Sequence, residues 1–109
     1  MGLDTSQIAK EMTAVFIGSL KDKAPDIQRY AASEAKKLAQ SLAKIEKLVL
    51  AGKIDEDEAR LQFDIQRNAT QTVLLTIQGL GTLAVEEAIN AALDAVKISV
   101  NKALGFSLL

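Results

Sequence analysis

Thr72–Val100, TVLLTIQGLGTLAVEEAINAALDAVKISV, is the stretch whose reading decides the fold. It opens with a β-prone apolar run and passes through Gly79-Leu80-Gly81-Thr82-Leu83-Ala84, a G-x-G-x-x-A string. It then continues as a good helix former. The string can be a dinucleotide-binding turn, part of a membrane span, or a glycine joint between two helices.

A dinucleotide turn needs a strand before the glycines, a close backbone approach to the pyrophosphate, and a helix N-terminus to hold it. TVLLTI imitates the strand and LAVEEAINAALDA the helix. Yet the residues before Thr72 read as helical, and too little chain follows Val100 for a parallel sheet. The ribose-binding acid would fall where Asn101 stands. The apolar positions Val73, Ile77, Leu80 and Ala84 also run through the glycines in helical phase. The joint is therefore the favoured reading, with Gly79 and Gly81 marking a kink or turn. A nucleotide binder using Gly79–Ala84 stays as a remote alternative.

A spanning helix needs about twenty mostly apolar residues. The run from Thr72 to Val85 contains Gln78, and it is stopped by Arg67 on one side and Glu86-Glu87 on the other. No integral membrane span is expected.

The whole chain agrees with a helical reading. It has 109 residues, is 49% hydrophobic with 4% aromatic residues, and carries a single proline. Ala and Leu lead the helix-propensity order, and there are few breakers. The core must then be aliphatic, with alanines bringing helices close. Net charge is −1, so the balance points to no nucleic acid. There is no cysteine and no histidine, which removes thiol nucleophiles, disulfides and the usual zinc ligands. No signal peptide is indicated, and a cytoplasmic location is expected.

Four helices follow from caps and spacing, at about 5–20, 25–51, 55–78 and 82–104, in a single domain 1–109. Asp4-Thr5-Ser6 caps the first, and Ile8, Met12, Val15, Phe16, Ile17 and Leu20 form its apolar side. Pro25 and Asp26 restart the chain. Ala31, Ala35, Leu38, Leu42, Ile45 and Val49 then make a heptad-like, coiled-coil-like seam. Lys36, Lys37, Lys44 and Lys47, mixed with Glu34 and Glu46, read as a solvated face. Gly52 ends this helix, and Asp55 with Glu58 spells a capping box for the next. So short a link predicts a long antiparallel hairpin, with an acidic start of helix three beside the lysine-rich end of helix two.

Helix three carries Leu61, Ile65, Ala69, Val73, Ile77 and Leu80 in one stripe. Helix four carries Val85, Ile89, Ala92, Val96 and Val100 on one side and Ala84, Ala88, Ala91 and Ala95 on another. Gly105 ends it and leaves an apolar tail, 105–109, with Phe106, Leu108 and Leu109. Without histidine, the carboxylates lack the Glu-x-x-His pattern of metal-binding bundles, so no metal, cofactor or catalytic residue is assigned.

The expected fold is an all-α, four-helix bundle-like domain completed by oligomerisation, since one short helix and one hairpin leave helix four incompletely covered. The expected function is that of a non-enzymatic structural or interaction protein. It would self-associate, most simply as a symmetric dimer, through Val73, Ile77, Leu80, Ala84, Ala88, Ala91 and Ala95. Gln71 and Gln78 are candidates for setting register, as buried polar residues do in coiled coils. The alternative is an apolar-ligand or membrane-surface binder using the tail as a foot or partner hook.

Overall fold

The computed structural model describes residues 4–77 and 79–109. It holds four α-helices: α1 (Thr5–Ser19), α2 (Pro25–Leu50), α3 (Glu56–Leu75) and α4 (Thr82–Leu104). No strand occurs among the described residues, so the all-helical, four-helix expectation holds.

Local chemistry explains the helix limits. The Asp4 carboxylate accepts from the Gln7 amide at 3.2 Å and opens α1. α2 opens with Pro25 in its first turn, where the missing N–H costs nothing. At its end the Gly52 amide donates to the Val49 carbonyl at 3.0 Å and the Lys53 amide to Leu48 at 2.9 Å. This double closure satisfies the last carbonyls and uses the left-handed Gly52. Asp55 and Glu58 then form a complete capping box: the Glu58 amide donates to Asp55 at 2.8 Å and the Asp55 amide to Glu58 at 3.2 Å.

α3 ends at Leu75, short of the expected 78. Its threonines bond back to the chain, Thr72 to the Asn68 carbonyl and Thr76 to that of Val73. Gly79 then takes φ +99°, a left-handed conformation in which no helix continues. Gly81 differs. It is extended, at φ −90° and ψ 167°, and serves as the N-cap of α4.

α1 lies against both α2 and α4, and it buries Ile8, Met12, Phe16 and Leu20 there. From α2 come Ala31, Ala35, Leu38, Ala39 and Leu42; from α4, Val85, Ile89, Ala92, Val96 and Val100. The apolar side read for α4 is thus its core side. α3 packs on α2 and more lightly on α4. The long axis of the molecule, 42 Å, is close to the length of α2, because 26 residues rise about 39 Å in an α-helix.

The phase of α3 departs from expectation. Its buried residues are Ala59, Phe63, Thr70 and Leu74. Leu61 is 62% exposed, Ile65 55% exposed, and Ala69 is also exposed. Two residues turn a helix by about 200°, so Phe63 lies almost opposite Leu61. The helix bears two apolar stripes, and the one holding the large aromatic surface of Phe63 faces inward. Glu34 and Glu46, read as surface acids, are likewise buried, at 6% and 2% exposure. They flank a seam wider than a heptad pattern, since Ala39 and Ala43 are buried beside it.

Two outcomes check this arrangement. In dilute protein Phe63→Ala lowers unfolding free energy by about 3 kcal/mol, whereas Leu61→Ala costs less than about 0.5 kcal/mol; urea titration of both reads the phase of α3. At the joint, Gly79→Ala costs about 1–2 kcal/mol for its left-handed backbone. Gly81→Ser is neutral or stabilising by a few tenths of a kcal/mol, roughly, because it adds an N-cap hydroxyl. Equal costs at the two glycines would contradict their separate roles.

Candidate functional site

The residues expected to form an oligomer contact do not share one free surface. Leu80 and Ala88 sit in the chain's own core, at 7% and 0% exposure. Val73, Ile77, Ala84 and Ala91 are half-buried, and Ala95 is exposed. Gln71 is half-buried, and Gln78 lies outside the described residues. The alanine row of α4 is divided, with Ala88 in the core and Ala95 in solvent. Enlarging Ala88 would overfill the core rather than report on association.

The glycine string lacks the frame a dinucleotide turn needs. Of the stretch 72–77, which imitates a strand, Thr72–Leu75 is the last turn of α3. Among the described residues, no helix is long and apolar enough to cross a membrane. Among the described residues, no cluster of three or more acidic side chains could hold a metal ion.

The α2 lysines Lys36, Lys37, Lys44 and Lys47 are all exposed. Lys37 reaches the buried Glu34 carboxylate at 3.0 Å. That hydrogen bond and the Glu34 charge hold the Lys37 ammonium above the usual lysine pKa of 10.5. Its folded-state value is raised, so its stabilising contribution is present at neutral pH and fades only as pH climbs past that raised value. No buried side-chain polar atom among the described residues lacks a hydrogen-bond partner.

Three surfaces among the described residues bear on the expected contact. The first is the outward side of α3, with Leu61, Ile65 and Ala69 exposed. A groove of about 310 Å³ borders it, formed by Ser41, Lys44 and Ile45 of α2 with Gln62, Ile65 and Gln66. The second is the outward side of α4, where Leu83 and Ile98 are 68% and 83% exposed.

The third is the cleft between α3 and α4, and it is where the tail lies. Gly105, at φ +84°, turns the chain back, its amide donating to the Asn101 carbonyl at 2.9 Å. The Asn101 side chain then grips the tail backbone. Its Oδ1 accepts from the Leu108 amide at 2.9 Å and the Leu109 amide at 3.0 Å, and its Nδ2 donates to the Leu109 carbonyl at 3.2 Å. Arg60 of α3 donates to the Ser107 carbonyl at 3.3 Å and stacks over the Phe106 ring, 5.6 Å from its centroid. Phe106, Leu108 and Leu109 pack against the core. Residues expected to project as a foot or hook are therefore folded onto their own chain.

Leu108 and Leu109 form one wall of a groove of about 410 Å³. Phe63 and Leu93 contribute apolar surface, and Asp64, Arg67, Asn90, Asp94 and Lys97 supply polar groups of both signs. Arg67 hydrogen-bonds Asn90 between α3 and α4. Sequence reading missed Arg60, Phe63 and Asn101. The signal for Asn101 was its place four residues before Gly105, ahead of an apolar Phe-x-Leu-Leu.

Compared with known protein families, with characterised proteins and with solved structures, the chain finds no match.

The tail clamp has a direct check. Asn101→Ala removes three hydrogen bonds at a half-buried site and lowers stability by about 1–2 kcal/mol, allowing about 1 kcal/mol for a typical bond and less than full additivity. Thermal unfolding measures it, and an unchanged melting temperature would contradict the clamp.

Proposed function

We propose that the chain is a non-enzymatic interaction module that self-associates through the α2–α3 hairpin, with the outward stripe of α3 at the centre of the contact. The observation that carries this reading is the exposure of Leu61 and Ile65, 62% and 55%, on a helix whose other apolar stripe is already buried. Polar side chains at these positions would have served a solvated helix face better. The surface points to an apolar partner.

Charge favours a second copy laid antiparallel. Glu56, Asp57 and Glu58 crowd the first turn of α3, and its last turn has no basic residue but carries threonines. A parallel pair would set acid against acid. An antiparallel pair sets each acidic end beside the partner's uncharged end and opposes the helix dipoles favourably. A two-fold axis then passes near the middle of α3, which gives a closed symmetric dimer.

The expected affinity is modest. Covering Leu61 and Ile65 on both copies yields about 1–1.5 kcal/mol per side chain, since each is already partly covered. The half-buried Val73 and Ile77 add less. Association costs at least about 4 kcal/mol, so only a small surplus remains and the dimer is weak, at best about millimolar. The membrane-surface alternative loses its main support because the tail is docked on its own chain.

Sedimentation velocity across a concentration series tests the proposal. The native chain shifts from monomer toward dimer as concentration rises from the micromolar range to about a millimolar. Ile65→Lys stays monomeric with an unchanged circular dichroism melt, because its side chain is exposed in the single chain. A native chain that stays monomeric at about a millimolar removes the proposal.

A further inference from the structure

We infer that the cleft between α3 and α4 is a docking site for a short apolar peptide segment with a turned backbone, and that residues 106–109 are its built-in, displaceable occupant. This stands apart from the α3 contact proposed above and uses different residues.

The tail is held the way a bound peptide is held. Among the described residues the Asn101 side chain hydrogen-bonds to main chain: two consecutive amides on its Oδ1 and one carbonyl on its Nδ2. Two consecutive amides on one oxygen require a turned backbone, since in an extended chain they would point to opposite sides; such a fork reads that turn whatever the side chains are. Arg60 adds a second main-chain contact at Ser107 and a face for an aromatic ring at the position of Phe106. Side-chain preference then comes from the apolar packing of Phe106, Leu108 and Leu109. The cleft therefore selects an aromatic residue, any residue, and two leucine-like residues whose backbone turns onto Asn101.

The occupant is also built to leave. Only a few residues dock, none of them fully buried. They hang from Gly105, whose left-handed conformation makes it a natural pivot. A segment with so few buried contacts opens at far lower free energy than the core. The cleft is not filled by the tail either. About 410 Å³ of groove remains beside Leu108 and Leu109, within the volume range of about 300–1,000 Å³ typical of ligand sites. A longer incoming segment can therefore pair with Asn101 as the tail does and continue past it along a rim carrying Arg67 and Lys97 as well as Asp64 and Asp94.

The test is competition for the cleft by a fluorescein-labelled peptide copying Gly105–Leu109, read by anisotropy. The full chain carrying Leu108→Ser and Leu109→Ser together weakens the resident tail and leaves Asn101 and Arg60 in place. It binds the peptide at least about tenfold tighter than the native chain, a difference of about 1.4 kcal/mol. Adding Asn101→Ala to the same chain removes that gain, whereas adding Ile65→Lys leaves it, which separates this site from the dimer contact. Equal affinity of the native and double-variant chains overturns the inference, and so does indifference to Asn101→Ala. If the double variant fails to fold, hydrogen exchange of the native chain decides. Leu108 and Leu109 amides that exchange at least about a hundredfold faster than Val96 and Val100 amides support a displaceable occupant. Protection equal to that of α4 overturns it.

Discussion

The rest of the structure depends on which helix fills the slot between α2 and α4. α1 does, with Ile8, Met12, Phe16 and Leu20 all inside. Buried alanines on either wall of the slot, Ala31, Ala35 and Ala39 of α2 with Ala88 and Ala92 of α4, let the backbones approach closely enough for one short helix to seal it. Once α1 is there, the Val- and Ile-rich side of α4 is covered. α3 is displaced to the flank, held chiefly by α2 through Ala59, Phe63, Thr70 and Leu74. It touches α4 so lightly that a cleft remains, and the tail closes part of it. The uncovered α3 stripe and the tail-lined cleft are both consequences of where α1 sits.

How much of this was legible in the sequence depended on whether the determinant was local. Caps are local, and Asp4, Pro25, Gly52 and the Asp55–Glu58 pair marked helix limits to within a residue or two. The core side of α4 was legible because only one of its sides is rich in Val and Ile. α3 was not, because Leu61-Ile65-Ala69 and Ala59-Phe63-Leu74 are both apolar at helical spacing, and only tertiary packing chooses between them. The burial of Glu34 and Glu46 was hidden for a related reason: small neighbours widen the buried zone past a heptad seam. The alanine row of α4 looked like one surface, but Ala88 and Ala95 end in opposite environments although they lie within about 20° of each other around the helix. The tail was read from composition alone, as an apolar projection. Its docking depends on Arg60, distant in sequence, and on a side chain fork at Asn101 that no periodicity reports.

The G-x-G-x-x-A string shows how one pattern can serve two kinds of chemistry. In a nucleotide-binding turn the glycines clear space for a phosphate. Here Gly79 supplies a backbone conformation that stops α3, and Gly81 is an open N-cap for α4. What the string separates is the flank helix from the helix that completes the core. The proposed roles of the two exposed features follow from that separation: α3 offers a self-complementary stripe, and the α3–α4 cleft offers a place for a peptide.

The most direct measurement of the central claim is the thiol-labelling rate of a Leu61→Cys chain, which carries no other cysteine, followed from nanomolar to about millimolar protein. The account predicts rapid labelling in dilute solution, because position 61 faces away from the core, and progressive protection as concentration rises and a second copy covers the stripe. Protection already complete in dilute solution would contradict the phase of α3, and labelling equally rapid at every concentration would contradict its role as a contact face.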